Sequence, residues 1–203
     1  KIMEYLKNKK IKKFICFTTI LLYKNNKPNK KIGEKNQTNP YRNNYIFSKH
    51  LLEEVVRFYQ PHIPSIIVRL SNIYGYSKLK RPDLVPTLMQ NIFKKKKNYV
   101  WTDKPIRDFV FAEDAAEAVI KLANSKFVGT INIGSGKSYS VKKLTEIISK
   151  LSNKKIYSLD KKVSGPYKFL NNINLLKKAI RWKPKHTLKQ GLTKTFNIMK
   201  NYR

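Results

Sequence analysis

Short β-rich runs alternate with helical stripes along most of the chain. Residues 14–17 (Phe-Ile-Cys-Phe), 66–70 (Ile-Ile-Val-Arg-Leu), 109–111 (Phe-Val-Phe) and 130–133 (Thr-Ile-Asn-Ile) have strand length and strand composition. Between them, apolar residues recur at helical spacing. Leu51, Leu52, Val55 and Val56 share one face; Ala115, Ala116, Val119, Ile120 and Ala123 share another; Val141, Leu144, Ile148 and Leu151 form a third. This alternation predicts an α/β fold with a largely parallel sheet. Residues 24–44 are polar and aperiodic, a loop between the first strand and the helix that begins near Tyr45. From about residue 72 the loops lengthen, with Pro82, Pro86, Pro105, Pro166 and Pro184, as in a less regular annex. The longest apolar stretch, 14-FICFTTILLY-23, reads as a buried strand and its turn. It is far shorter than the roughly 18 residues a membrane helix needs, and no signal peptide is visible.

Glycine is scarce, and that limits the nucleotide chemistry. The seven glycines stand at 33, 75, 129, 134, 136, 165 and 191. None makes a Gly-rich turn between a first strand and a first helix, where N–H groups would cradle a pyrophosphate. Gly134-Ser135-Gly136 follows a strand but lacks a third glycine and comes late. It is a weak phosphate loop.

Charge changes the picture less than its size suggests. The 203 residues include 44 basic and 12 acidic side chains, a formal charge of +32. Lysine supplies 37 of the 44, and the lysines run through every segment, including 94–97 and 161–162. Readers of nucleic acid cluster arginine and aromatics on one face. Two readings stay open: a compositional bias toward Lys, Asn and Ile, and a positive field that gathers nucleotides or polyanions. The single cysteine, Cys16, lies within a strand pattern. It reads as a small buried hydrophobe rather than a nucleophile, excludes a disulfide framework, and fits a reducing, cytoplasmic setting. No metal-ligand cluster is predicted.

Tyr45 and Lys49 fall four residues apart at the start of a helical stripe. A phenol near pKa ~10 is a poor base at neutral pH, and an ammonium on the same helix face lowers it. Spacing alone carries little weight here. Seven of the twelve tyrosines have Lys at i+4: Tyr5, Tyr23, Tyr45, Tyr74, Tyr76, Tyr139 and Tyr157. Tyr74–Lys78 and Tyr76–Lys80 adjoin Gly75 in a predicted loop, which breaks the helical geometry.

Five features in fixed order set Tyr45–Lys49 apart. They are 14-FICFTTILLY-23, 45-YIFSK-49 with Glu53, 69-RLSNIYG-75, 107-RDFVFAEDAAEAV-119, and 129-GTINIGSGKSYSV-141 with the tail 180-IRWKPKHTLKQGL-192. Together they resemble the extended short-chain dehydrogenase/reductase family, the NAD-dependent sugar-nucleotide epimerases and dehydratases. The resemblance covers the C-terminal two-thirds of such an enzyme. The family's first strands, with the Gly-x-x-Gly-x-x-Gly turn and the ribose-binding acid, have no counterpart. The resemblance implies the C-terminal part of a Rossmann-like parallel sheet plus a smaller α/β substrate-binding subdomain. Residues 1–75 would be the remainder of the NAD-binding domain. Residues 76–203 would be mainly the substrate subdomain, with 107–124 returning to the Rossmann part.

The resemblance also assigns roles. Tyr45 is the expected acid/base, and Lys49 the residue that tunes it and meets the ribose of NAD or NADP, whose site is incomplete in this chain. Thr19, four residues before Tyr23, is the expected catalytic hydroxyl, with Thr18 as the competing register. Asn72 and Arg107 are expected to touch the diphosphate of a nucleoside-diphosphate sugar, and Lys168 lies near a further phosphate position. An arginine fork suits a diphosphate; for Arg107 the alternative is a structural ion pair with Asp108 or Asp114. Asp114 itself reads as a helix cap. Ile20 and Leu21 follow Thr19 where family dehydratases carry acids, so epimerisation or ketone reduction is expected over elimination. Asn171 where Asp is usual, Arg181 before Trp182 and Lys24 after Tyr23, both where Gly is usual, depart from the family pattern. The leading expectation is therefore a sugar-nucleotide epimerase or ketoreductase in truncated form. The alternatives are an inactive fragment that keeps only sugar-nucleotide binding and, as a minor reading, a basic nucleic-acid-binding protein. A homodimer through the Tyr45 helix is a family-level expectation.

Overall fold

The structure is a computed structural model that describes residues 1–24, 30–78, 83–94, 98–163 and 167–201. Lys27, Lys80, Pro82, the lysines at 95–97, Gly165 and Pro166 lie outside the described residues. The helices are α1 (Ile2–Lys7), α2 (Asn44–Tyr59), α3 (Leu84–Phe93), α4 (Ala112–Ala123), α5 (Val141–Ser152), α6 (Asn174–Ile180) and α7 (Leu188–Asn201). The strands are β1 (Phe14–Thr19), β2 (Ser65–Leu70), β3 (Asn72–Tyr74), β4 (Tyr99–Val100), β5 (Ile106–Phe111), β6 (Gly129–Ile133), β7 (Ser138–Ser140) and β8 (Tyr157–Ser158).

β1, β2 and β6 form a parallel sheet in the order β1-β2-β6. One face packs on α2 through Cys16, Val56 and Ile67. The other face packs on α4 and α6, with Ile66, Val68, Ala118, Leu122 and Leu176 in one core. A second core gathers α3, α5 and α7 around β3 and β5, with Met89, Phe109, Leu144, Ile148 and Leu192 at its centre. In the sheet beside it, β5 pairs with β3 in parallel and with β7 antiparallel. The predicted parallel α/β arrangement is present. The two-residue strands β4 and β8, and the three-residue β3 and β7, were too short to show any periodicity.

Two predicted stripes differ from the buried faces. On α2 the buried residues are Ile46, Glu53 and Val56, while Leu51, Leu52 and Val55 stay exposed. On α4 the buried set is Asp114, Ala115, Ala118 and Leu122, and Ile120 faces solvent. In both helices a carboxylate sits inside because a distant cation or N–H group meets it. The α5 stripe packs as its periodicity predicted: Val141, Leu144 and Ile148 are buried and Leu151 packs against them. Asp114 is not the N-cap of α4; that position is Phe111. Its carboxylate accepts from the His186 backbone N–H (3.0 Å) and faces His186 Nδ1 (2.9 Å), anchoring the segment before α7. That segment ends in a capping box: Thr187 N and Oγ1 both reach Gln190 Oε1, and Gln190 N reaches Thr187 Oγ1.

The departure at Arg181 has a backbone consequence. Arg181 is the C-cap of α6 with φ 47° and ψ 44°, a left-handed conformation in which a side chain is strained and glycine is not. Arg181→Gly is expected to raise stability by up to about 1 kcal/mol, because relief of that strain exceeds the added entropy of the unfolded chain. Thermal denaturation of the two proteins measures it.

Candidate active site

The carboxyl ends of β1 and β2 open onto a cleft of about 960 Å³. Thr19, Tyr45, Asn72 and Arg107, from four separate segments, all line it. Each is placed by a local device. Thr19 ends β1 and caps the 3-10 turn Ile20–Leu22, its Oγ1 accepting from Leu21 N at 3.2 Å. Tyr45 stands in the first turn of α2, whose N-cap Asn43 accepts from Ile46 N at 2.9 Å. Asn72 opens β3, and its Nδ2 donates to the Asp108 carbonyl. Arg107 lies on β5.

Tyr45 is half exposed at 53%, so its phenol is open to the cleft. The Lys49 ammonium lies 5.9 Å from the centroid of its ring. Of the seven Tyr/Lys pairs at i+4, those of Tyr23 and Tyr76 have a lysine outside the described residues. Among the rest, only Tyr45 and Lys49 lie within one helix. Tyr74, Tyr139 and Tyr157 are in strands, and Lys9 falls beyond the end of α1.

Thr18 and Thr19 separate clearly. The Thr18 hydroxyl donates to Glu53 Oε1 at 2.7 Å. The Thr19 hydroxyl only accepts, so among the described residues its hydrogen is free for a ligand. Arg107 donates to the carbonyls of Ile106 (3.0 Å) and Tyr167 (3.1 Å), and among the described residues it meets no carboxylate. The alternative of an ion pair with Asp108 or Asp114 is therefore not what the structure contains. Burial pushes its pKa down, yet a guanidinium remains charged at neutral pH. Lys168 is not among the cleft residues; it bridges to Ile106, next to Arg107 along the chain.

The Gly134-Ser135-Gly136 turn is occupied. Asp108, fully buried, accepts from Ser135 N (2.8 Å), Ser135 Oγ (2.6 Å) and Gly136 N (2.9 Å). Burial pushes the Asp108 carboxyl up, and these donors offset part of that shift. A Cβ on Gly134 would stand 2.4 Å from Asn171 Nδ2 and 2.5 Å from Asp108 Oδ2, so the glycine serves this internal seat. Thr18, Ser71, Tyr74, Tyr99 and Trp101 also line the cleft. Sequence reasoning had not singled out the last four for it, since β3 and β4 are too short to announce themselves.

Among proteins of known family, the sequence model of the NAD dependent epimerase/dehydratase family matches residues 1–134. The chain belongs to this family. A putative UDP-glucose 4-epimerase of Methanocaldococcus jannaschii is 32% identical over 179 residues, 84% of this chain and 57% of that protein. A probable GDP-L-fucose synthase of Oryza sativa is 28% identical over 139 residues, 62% of this chain and 42% of that protein. The chain thus spans about half the length of these curated relatives. In fold, this epimerase/dehydratase chain superposes on a UDP-N-acetylglucosamine 4-epimerase from Methanobrevibacter ruminantium with a TM-score of 0.89 at 23% identity. That alignment covers 100% of this chain and 67% of the other. A UDP-glucuronic acid 4-epimerase from Bacillus cereus, solved with UDP-glucuronic acid and NAD, gives a TM-score of 0.88 at 23% identity over 100% and 66% of the two chains. These structures share the Rossmann-type architecture. Among the described residues, no helix is long and apolar enough to cross a membrane.

Proposed function

We propose that the cleft binds a nucleoside-diphosphate sugar and that the chain takes part in its NAD(P)-dependent epimerisation or ketone reduction. The observation that carries this reading is the convergence of Thr19, Tyr45, Asn72 and Arg107 on one cleft. Arg107 is a half-buried cation with no carboxylate of its own among the described residues, which suits it to a diphosphate. Tyr45 would take and return the proton of the sugar hydroxyl, with Thr19 donating to the same oxygen and Lys49 stabilising the phenolate. Leu21 lines the cleft and Ile20 is buried beside it, so neither of these two positions supplies a titratable group to expel water. Epimerisation or reduction is therefore favoured over elimination. Lys168, whose backbone pairs with Ile106, would add positive charge near the cleft without lining it.

The family implies a nicotinamide dinucleotide, and the residues present fit one end of it. Tyr45 and Lys49 would hold the nicotinamide ribose. The phosphates have no cradle among the described residues, because the one Gly-x-Gly turn is spent on Asp108. When bound, the cofactor supplies the hydride acceptor and donor for the sugar carbon. We take residues 1–75 as the remainder of the dinucleotide domain and 76–203 as mainly substrate-binding, with 107–124 returning to the former. A cytoplasmic setting is part of this reading and rests on the single buried thiol. So is a homodimer: Phe47, Leu51, Val55 and Phe58 form an exposed apolar stripe on α2, of the kind that marks interfaces. The occupied Gly134–Gly136 turn favours a second reading, a chain that binds the sugar nucleotide without a dinucleotide site of its own.

Calorimetric titration with UDP-glucose tests the first reading. Wild-type protein is expected to bind, and Arg107→Gln to weaken binding by about 10- to 100-fold through loss of charge-assisted hydrogen bonds. No binding by wild type, or equal binding by the variant, would sink it. Fluorescence titration with NADH separates the two readings: saturation below millimolar cofactor supports the first, and its absence the second.

A further inference from the structure

The buried carboxylate of Glu53 takes no part in the chemistry described so far, yet it accepts four hydrogen bonds. Glu53 is fully buried on α2. Its Oε1 accepts from Thr18 Oγ1 (2.7 Å) and Arg69 Nε (2.9 Å), and its Oε2 from Arg69 Nη2 (2.5 Å) and Arg57 Nη2 (2.5 Å). Thr18, Arg69 and Asn132 stand opposite one another across β1, β2 and β6, so they form one polar row across a sheet whose neighbouring row, Phe17, Val68 and Ile131, is apolar. Tyr23 closes the row. Its ring centroid lies 4.6 Å from the Arg69 guanidinium, and its hydroxyl donates to Asn132 Oδ1 at 2.8 Å.

Stability alone does not call for this row. Apolar side chains of matching volume commonly replace a buried ion pair at no loss, because desolvating both charges cancels their attraction. What the polar row adds is direction. Apolar packing tolerates a sliding helix, whereas a carboxylate held by four donors fixes α2 at one height along β1. The groups proposed for the chemistry hang from the two ends of that bracket. Tyr45 lies on α2 a little over two turns before Glu53, and Thr19 directly follows Thr18 on β1.

We propose that Glu53 is a positioning residue for the cleft: by seizing the Thr18 hydroxyl and Arg69, it sets the Tyr45 phenol against the Thr19 hydroxyl and leaves Thr19 as the free donor. The inference rests on the reading of the cleft as a nucleotide-sugar site. Arg107 belongs to a different strand and none of the four donors to Glu53 comes from it, so the diphosphate end should be indifferent to Glu53.

The experiment compares the affinities of UDP-glucose and UDP for wild type, Glu53→Gln, Glu53→Asp and Thr19→Val, with thermal denaturation of each. Wild type is expected to bind UDP-glucose more tightly than UDP. Glu53→Gln is expected to lose that preference by about tenfold, as Thr19→Val does, while UDP binds within about twofold of wild type. Glu53→Asp keeps the charge for Arg69 with a shorter reach, and it serves if the Gln variant does not fold; it should lose the preference in the same way. A merely structural role would weaken UDP and UDP-glucose together, in line with the loss of melting temperature, and that result overturns the proposal. So does an unchanged preference in either Glu53 variant. Wild type that shows no preference for the sugar overturns the substrate reading and leaves Glu53 nothing to position, so the two failures are told apart by the wild-type arm.

Discussion

Glu53→Ala is expected to cost about 3–5 kcal/mol of folding stability, a large share of the total for a chain of this kind. The loss comes from what stays behind. Arg69 is buried, with little exposure at 3%, and would keep its charge with no carboxylate to meet it. The Thr18 hydroxyl would lose its 2.7 Å acceptor in the same step and keep only the Val68 carbonyl at 3.5 Å. The pH dependence has a definite sign. Burial by itself would raise the Glu53 carboxyl, but the bonds from Arg69 and Thr18 and the charge of Arg57 outweigh it and hold it below its ordinary 4.5. A depressed carboxyl contributes stability that is complete above the unfolded value and is lost as pH falls through the folded one. Asp108 works in the opposite sense. Burial raises its pKa, so its contribution is greatest in acid and is lost as pH rises through the raised value. Urea denaturation at neutral pH and at about pH 4 should therefore show a smaller penalty for Glu53→Ala in acid. An equal penalty at both would place the stabilisation in packing rather than in the charged network.

Tyr45→Phe is expected to lower turnover of a sugar-nucleotide substrate by about 10²–10⁴-fold, the usual share of a positioned acid/base. The fold and substrate affinity should barely change, because the phenol is exposed and makes no hydrogen bond among the described residues. Steady-state kinetics gives the answer. A fall in kcat with KM preserved fits proton transfer by Tyr45, whereas full turnover in the variant would remove Tyr45 from the chemistry.

Much of the architecture was legible from the order of residues alone. Length and β-rich composition marked the four longest strands, and periodicity marked the core face of α5, where polarity matches burial along the helix. Motif order pointed to Thr19, Tyr45, Lys49, Asn72 and Arg107, and four of the five line one cleft while Lys49 stands beside Tyr45. Gly134-Ser135-Gly136 reads as a weak phosphate loop because it lacks a third glycine and comes late. That a carboxylate 27 positions upstream is seated on it was invisible in the sequence.

The rest was decided by partners that no local window contains. The apolar stripe put Leu51, Leu52 and Val55 on one face with Val56; the fold buries Val56 together with Glu53 and leaves the other three exposed. Arg69, 16 residues away on β2, draws the carboxylate inward and turns α2, so the aliphatic side chains face out. Asp114 resembled a helix cap until His186, 72 residues on, proved to be its partner. A residue's own chemistry states what burial would cost it. Only the tertiary structure supplies the donor that offsets the cost, and so decides which polar groups go inside.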